Sequence, residues 1–95
     1  MKFNGWDCRV NLTKYIGGSR TAILLVDAVD GSPIATATVN FPEVALAADE
    51  VLIKDWSENN GILDALIAEG VVKDTGRRVP MGFVQAVVAK LLPKI

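Results

Sequence analysis

Residues Thr21 to Phe41 constrain the fold most. Ile23-Leu24-Leu25-Val26 is an unbroken apolar run, the pattern of a strand buried on both faces. Asp30-Gly31-Ser32-Pro33 follows, and Asp-Gly favours a hairpin turn because glycine takes positive φ at no steric cost. Beyond it, Ala35, Ala37, Val39 and Phe41 alternate with Thr36, Thr38 and Asn40. Period two predicts a strand with one small apolar face and one wet, hydroxyl-bearing face. An antiparallel hairpin is therefore expected, and a chain built around it needs more strands to cover the apolar run.

Asp7 to Tyr15 supplies one such strand, with Cys8, Val10 and Leu12 on one side and Arg9, Asn11 and Thr13 on the other. Gly17-Gly18-Ser19 ends it as a turn. Val51 to Asp55 reads as a further strand. Ser57 is a good N-cap, and the spacing of Ile62, Leu63, Leu66 and Ile67 predicts an amphipathic helix over about 58–69. Glu58 suits the positive end of its dipole, and Gly70 suits its C-terminal turn. Gly61 in the first turns costs about 1 kcal/mol relative to alanine, which marks a close approach to the sheet or a partner. Residues 71–82, with Thr75-Gly76-Arg77-Arg78 and Val79-Pro80, read largely as loop. In the last segment Phe83, Val84, Val87, Val88, Leu91 and Leu92 repeat at helical spacing, yet the valines suit a strand equally, and the pattern alone favours helix slightly.

The expected fold is α+β: an antiparallel sheet of four to five strands with one main helix, about 58–69, packed on one face, in one domain spanning residues 1–95. The helix stripe should meet Ile23, Leu25, Val39 and Ile53. Trp6 is expected to cover one end of the core; an exposed tryptophan there would instead suggest a binding edge.

Ninety-five residues allow one core. The 51% hydrophobic and 22% charged composition is globular. No apolar run reaches the length of a membrane helix, and no apolar leader stands at the N-terminus, so the expected location is the cytoplasm. One Cys and no His exclude His-containing triads, His metal sites and internal disulfides. Cys8 fits a reducing compartment and a structural role.

Charge is unevenly spread. Residues 1–26 carry +3, residues 27–69 carry −8 and residues 70–95 carry +4, for a net −1. The acidic middle either forms a face that attracts a basic partner or is neutralised by the two basic ends. The acidic balance argues against nucleic acid as a partner.

Asp55-Trp56-Ser57-Glu58-Asn59-Asn60 is the densest polar cluster. A tryptophan beside hydrogen-bonding side chains is a composition that interface hot spots favour. The plainer reading is a strand-to-helix junction, with Ser57 capping, Asp55 bracing the turn and Trp56 covering the core edge. Asp55 and Glu58 as paired carboxylates lack a nucleophile, metal partner or oxyanion donor at a recognisable spacing. Arg77 and Arg78 could grip a carboxylate or phosphate, although no phosphate-loop spacing surrounds them. The candidate partner-binding residues are Asp55, Trp56, Glu58, Asn59, Asn60, Arg77 and Arg78. No enzyme activity, cofactor or metal is expected.

Val39-Asn40-Phe41-Pro42, Lys54-Asp55-Trp56-Ser57-Glu58-Asn59-Asn60-Gly61, Thr75-Gly76-Arg77 and Gly82-Phe83-Val84 resemble a family of small uncharacterised proteins from bacteriophages and bacterial mobile elements. The resemblance runs from about Ala22 to Leu92. It departs at Asn60, where the family commonly has Glu, which weakens a capping box with Ser57. The family often carries proline near position 87, which disfavours a helix and implies a C-terminal strand. The resemblance implies a mobile-element origin and supplies no mechanism. The expected function is a non-catalytic interaction module that binds a host or phage protein, as an anti-CRISPR inhibitor of host defence would. The alternative is a self-associating structural or assembly protein, such as a homodimer.

Overall fold

The structure, a computed structural model, describes residues 1–16, 18 and 20–93. Eight strands are seen among them: β1 (Lys2–Phe3), β2 (Trp6–Lys14), β3 (Thr21–Asp27), β4 (Pro33–Thr36), β5 (Thr38–Val39), β6 (Glu50–Ile53), β7 (Val72–Met81) and β8 (Val84–Leu91). They form two four-stranded antiparallel sheets, in the orders β1-β2-β3-β4 and β5-β6-β8-β7. Between β6 and β7 lie a 3-10 turn, Ser57–Asn59, and a single short helix, α1, Ile62–Ala68. The expected α+β fold with one main helix on a single sheet is therefore wrong: the protein is mostly β.

The sheets meet at a corner made by one residue. Ala37 separates β4 from β5, donates its N–H to Ile23 of the first sheet at 2.8 Å and accepts from Lys54 N–H of the second at 2.7 Å. The main core lies between the sheets. It joins Phe3, Cys8, Ile23 and Leu25 to Val51, Ile53, Val72, Val87 and Ala89, with Ile62, Leu63 and Leu66 of α1. Strand alternation puts Leu52, Ala86 and Val88 on the other face of the second sheet. There a second cluster forms with Val39, Val79 and Met81, and with Val44, Leu46 and Trp56 from outside the strands. The second sheet is thus buried on both faces.

The hairpin around Asp30-Gly31 is present. Gly31 sits at φ 75°, and Asp27 folds the loop by accepting Val29 N–H at 2.7 Å. The expected face pattern of its second strand fails, because the chain changes sheets at Ala37. Val39 joins the outer cluster instead of meeting the helix. Thr38, expected to be wet, is buried, and its hydroxyl bonds Tyr15 Oη at 2.7 Å and Ile23 N–H at 3.2 Å. The turn expected at Gly17-Gly18-Ser19 falls partly on residues 17 and 19, which lie outside the described residues. Tyr15 and Arg20 are bonded across it at 3.0 Å.

Residues 71–82 are not a loop. They are mostly β7, with a register shift between Asp74 and Arg78 that leaves extra residues on one strand. Gly76 at φ 87° makes that bulge. Pro80 is tolerated because β7 is an edge strand. Gly82 at φ 71° then turns the chain directly into β8. The C-terminal segment is a strand, as the resemblance implied.

The helix is half the expected length. Ser57, expected to cap it, lies at φ 55° and opens the 3-10 turn. Asp55 caps in its place: Oδ1 accepts Gly61 N–H at 3.0 Å and Leu63 N–H at 3.2 Å. Gly61 precedes the helix at φ 93°, with open space where a Cβ would be. It is there for its backbone conformation and not for close packing. Gly70 ends the helix as expected, with Val71 N–H bonded to Leu66 C=O and Gly70 N–H to Ile67 C=O, both at 3.0 Å. Ile67, placed in the apolar stripe, is 40% exposed.

Candidate functional site

The N-terminal hairpin builds one wall of the site. Asn4 and Gly5 both have positive φ, 49° and 83°, the two-residue turn that Asn-Gly favours. It pairs Phe3 with Trp6. Phe3 enters the core, while Trp6, at the hairpin end and beyond the core, is 52% exposed. The expected burial of Trp6 is therefore corrected: Phe3 takes the core position, and the indole stays half-exposed at the hairpin end.

The other wall is the 3-10 turn. Asn4 Nδ2 donates to Glu58 C=O at 3.3 Å, tying the two walls together. Between them lies a cleft of about 540 Å³ lined by Trp6, Ile34, Thr36, Lys54, Glu58 and Asn59, among others. Asn59 is buried, at 2% exposure. Its Nδ2 donates to Thr36 C=O at 2.7 Å, so it closes the free edge of β4. Lys54 and Glu58 form a salt bridge at 2.6 Å on the rim. That hydrogen bond holds the Glu58 carboxyl below its ordinary range. The rim thus presents a fixed ion pair beside an exposed indole. A wide apolar face with a polar edge is what a protein partner uses as an anchor.

The predicted residues separate into three groups. Glu58 and Asn59 line the cleft. Asp55 is the helix cap, Trp56 is half-buried against the outer cluster, and Asn60 is exposed outside the cleft lining. Arg77 and Arg78 sit on the β7 bulge, apart from the cleft. Arg78 grips Asp74 through both guanidinium nitrogens at 2.8 and 2.9 Å. That contact lowers the Asp74 carboxyl, helped by Gly76 N–H, and raises the Arg78 guanidinium. Arg77 lies 3.7 Å from Glu50.

The acidic middle segment does not stand as one uncompensated face. Glu50 meets Arg77, Asp49 meets Lys90 at 3.6 Å, and Glu58 meets Lys54. Asp27, Asp30 and Asp55 accept backbone N–H groups in turns and at the helix start. Asp30 is held low by its bonds to Ser32. The C-terminal basic segment thus meets the acidic centre at Glu50 and Asp49, and Lys54, from within that centre, meets Glu58.

Cys8 is buried. Burial pushes its thiol up, away from the thiolate form that a nucleophile needs. Among the described residues, no group of three or more His, Cys, Asp or Glu converges as a metal-ligand set. No helix among them is long and apolar enough to cross a membrane.

Sequence reasoning missed Asn4, and for Trp6 it favoured burial over the exposed, edge-marking alternative that the structure shows. The Asn4-Gly5 pair was the available signal, because it marks a hairpin whose strand ends are fixed. No family model, curated protein or solved structure matches this chain.

Proposed function

We propose that the protein is a non-catalytic interaction module that holds a partner protein at the Trp6 cleft. The supporting observation is the exposed Trp6 indole on the rim of a cleft whose polar groups, Lys54, Glu58 and Asn59, are already fixed by bonds within the fold. Pre-organised polar groups cost little entropy when a partner binds. An aromatic anchor beside them supplies apolar area. The partner would bring an apolar side chain for Trp6 and a mixed polar edge for the Lys54–Glu58 pair. A nucleic-acid mimic would need a run of uncompensated carboxylates, and the ion pairs argue against that form.

The likeness of residues 39–42, 54–61, 75–77 and 82–84 to small phage and mobile-element proteins supports an origin of that kind. In its specific form the proposal makes the partner a host protein, such as a component of a defence system that an anti-CRISPR inhibitor would block. A tagged pulldown from host bacterial lysate, read by mass spectrometry, tests it. The wild-type chain should recover one partner, and Trp6→Ala should weaken its affinity about 30-fold or more, the scale of a hot-spot residue. Trp56→Phe should retain it. Recovery of the same partner by Trp6→Ala at unchanged affinity would overturn the proposal.

A further inference from the structure

The exposed edges of the two sheets are not alike. β4 is short, starts with Pro33 and has its Thr36 carbonyl bonded by Asn59. β5 is two residues long. β7 is bulged and carries Pro80. Short length, proline and bulges are the devices that keep an edge from pairing with another chain. β2 is long, unbulged and free of proline, and from Cys8 onward it carries only Arg9 and Lys14 as charged residues. Its pairing with β3 runs without a register shift from Cys8 to Lys14.

Only the start of the β2 edge is covered. Cys8 exchanges both backbone bonds with Met1, at 2.7 and 2.9 Å. Asp7 and Tyr15 direct their bonds the other way, toward the β3 side. Backbone groups alternate along an antiparallel strand, so Val10, Leu12 and Lys14 point their N–H and C=O groups out of the sheet, as Cys8 does. Among the described residues these groups have no backbone partner. A cleft of about 690 Å³ runs beside them, lined by Val10 and Leu12 on one side and Val71 and Leu92 on the other. Leu12 is 45% exposed and Ile16 fully exposed.

We infer that this edge pairs with the β2 edge of a second copy of the chain, antiparallel and centred on Leu12. Two constraints select that register. Opposed residues must point to the same face, and Met1 already fills the place outside Cys8, which blocks a register centred on Asn11. Centring on Leu12 sets Leu12 against Leu12 and Val10 against the aliphatic stem of Lys14. It also sets Asn11 against Thr13 and Arg9 against Tyr15. No like charges stand opposite each other, so the strand is charge-compatible with its own copy. Val10, Leu12 and Lys14 each gain the pair of backbone bonds they lack. Ile16 lies beyond the end of β2 at Lys14, where Tyr15 N–H already bonds Arg20 C=O, so the ladder stops short of Cys8 and Met1 keeps its place there. The Trp6 cleft lies on the β4 side and stays free, so pairing and partner binding are separate properties.

Sedimentation equilibrium of the full chain over a range of concentrations tests this. The wild type should reach twice the monomer mass. Leu12→Pro removes only an outward N–H, so the β2–β3 ladder and the strand signal in circular dichroism should remain, while the dimer dissociation constant rises at least tenfold. Leu12→Lys, at a half-exposed site, should do the same while keeping the strand signal in circular dichroism, and its melting temperature should lose the concentration dependence of the wild type. Trp6→Ala should stay dimeric. A wild-type chain that is monomeric up to ~1 mM would overturn the inference, as would a folded Leu12→Lys variant that dimerises as well as the wild type.

Discussion

Replacing Leu66 with alanine should lower the unfolding free energy by about 2–5 kcal/mol, the range for a large aliphatic side chain removed from a closed core. Leu66 has no exposed surface and packs in the cluster that joins α1 to both sheets. α1 is only seven residues long, too short to persist without tertiary contacts. The cavity is therefore bounded by three elements, none of which can move inward without disturbing the others. A domain of this size has about 5–15 kcal/mol in total, so the variant should melt well below the wild type in urea. Ile67→Ala is the control. Ile67 is 40% exposed, and its loss should cost far less than that of Leu66. Equal effects at the two positions would contradict the orientation of the helix.

Asn59→Ala should cost about 1–3 kcal/mol, because it leaves the Thr36 carbonyl without its donor at a partly buried site. The loss is larger than the hydrogen bond alone suggests. Asn59 also holds the 3-10 turn against β4, and that turn carries one wall of the cleft. Asn59→Asp should be worse at neutral pH, because a carboxylate would face a carbonyl in place of a donor. Its folded pKa would then be raised above the ordinary carboxyl value of about 3.9. By linkage, the variant should regain stability as pH falls toward that value and lose it as pH rises through the folded pKa. Urea melts at pH 7 and in mild acid read this directly. A deficit for Asn59→Asp that stays constant between them would show that the side chain is not donating to Thr36.

Much of the β-structure was legible because it rests on local signals. The apolar run at 23–26 with its Asp-Gly turn, the strand at 51–53 and the glycine at the helix end all specify themselves within a few residues. What was not legible depended on tertiary context. Val72–Met81 contains Gly76 and Pro80, which break a central strand but suit a bulged edge, and only the sheet order shows that β7 is an edge. Val39 and Thr38 exchanged their expected surroundings because Ala37 hands the chain from one sheet to the other. The helix lost its first turn because Asp55 caps it from upstream in place of Ser57.

The site was legible in part for the same reason. The polar block 54–60 does form a wall, and Glu58 and Asn59 are in it. Its tryptophan covers a core edge, as the plainer reading of the block had it. Trp56 rests against Leu52 and Val88, which face outward on a sheet that the sequence did not reveal as covered on both sides. Trp6 stands clear because Phe3, its neighbour across the hairpin, already fills the core. Arg77 and Arg78 looked available for a ligand, and the fold pairs both with acids of its own.

The claim that Trp6 is the presented anchor is tested most directly by acrylamide quenching of Trp56→Phe, in which Trp6 is the sole remaining tryptophan. Its emission should be red-shifted and strongly quenched, and more so than the emission of Trp56 in the matched Trp6→Phe variant. A blue-shifted, protected Trp6 beside a freely quenched Trp56 would contradict the placement of the cleft and the function built on it.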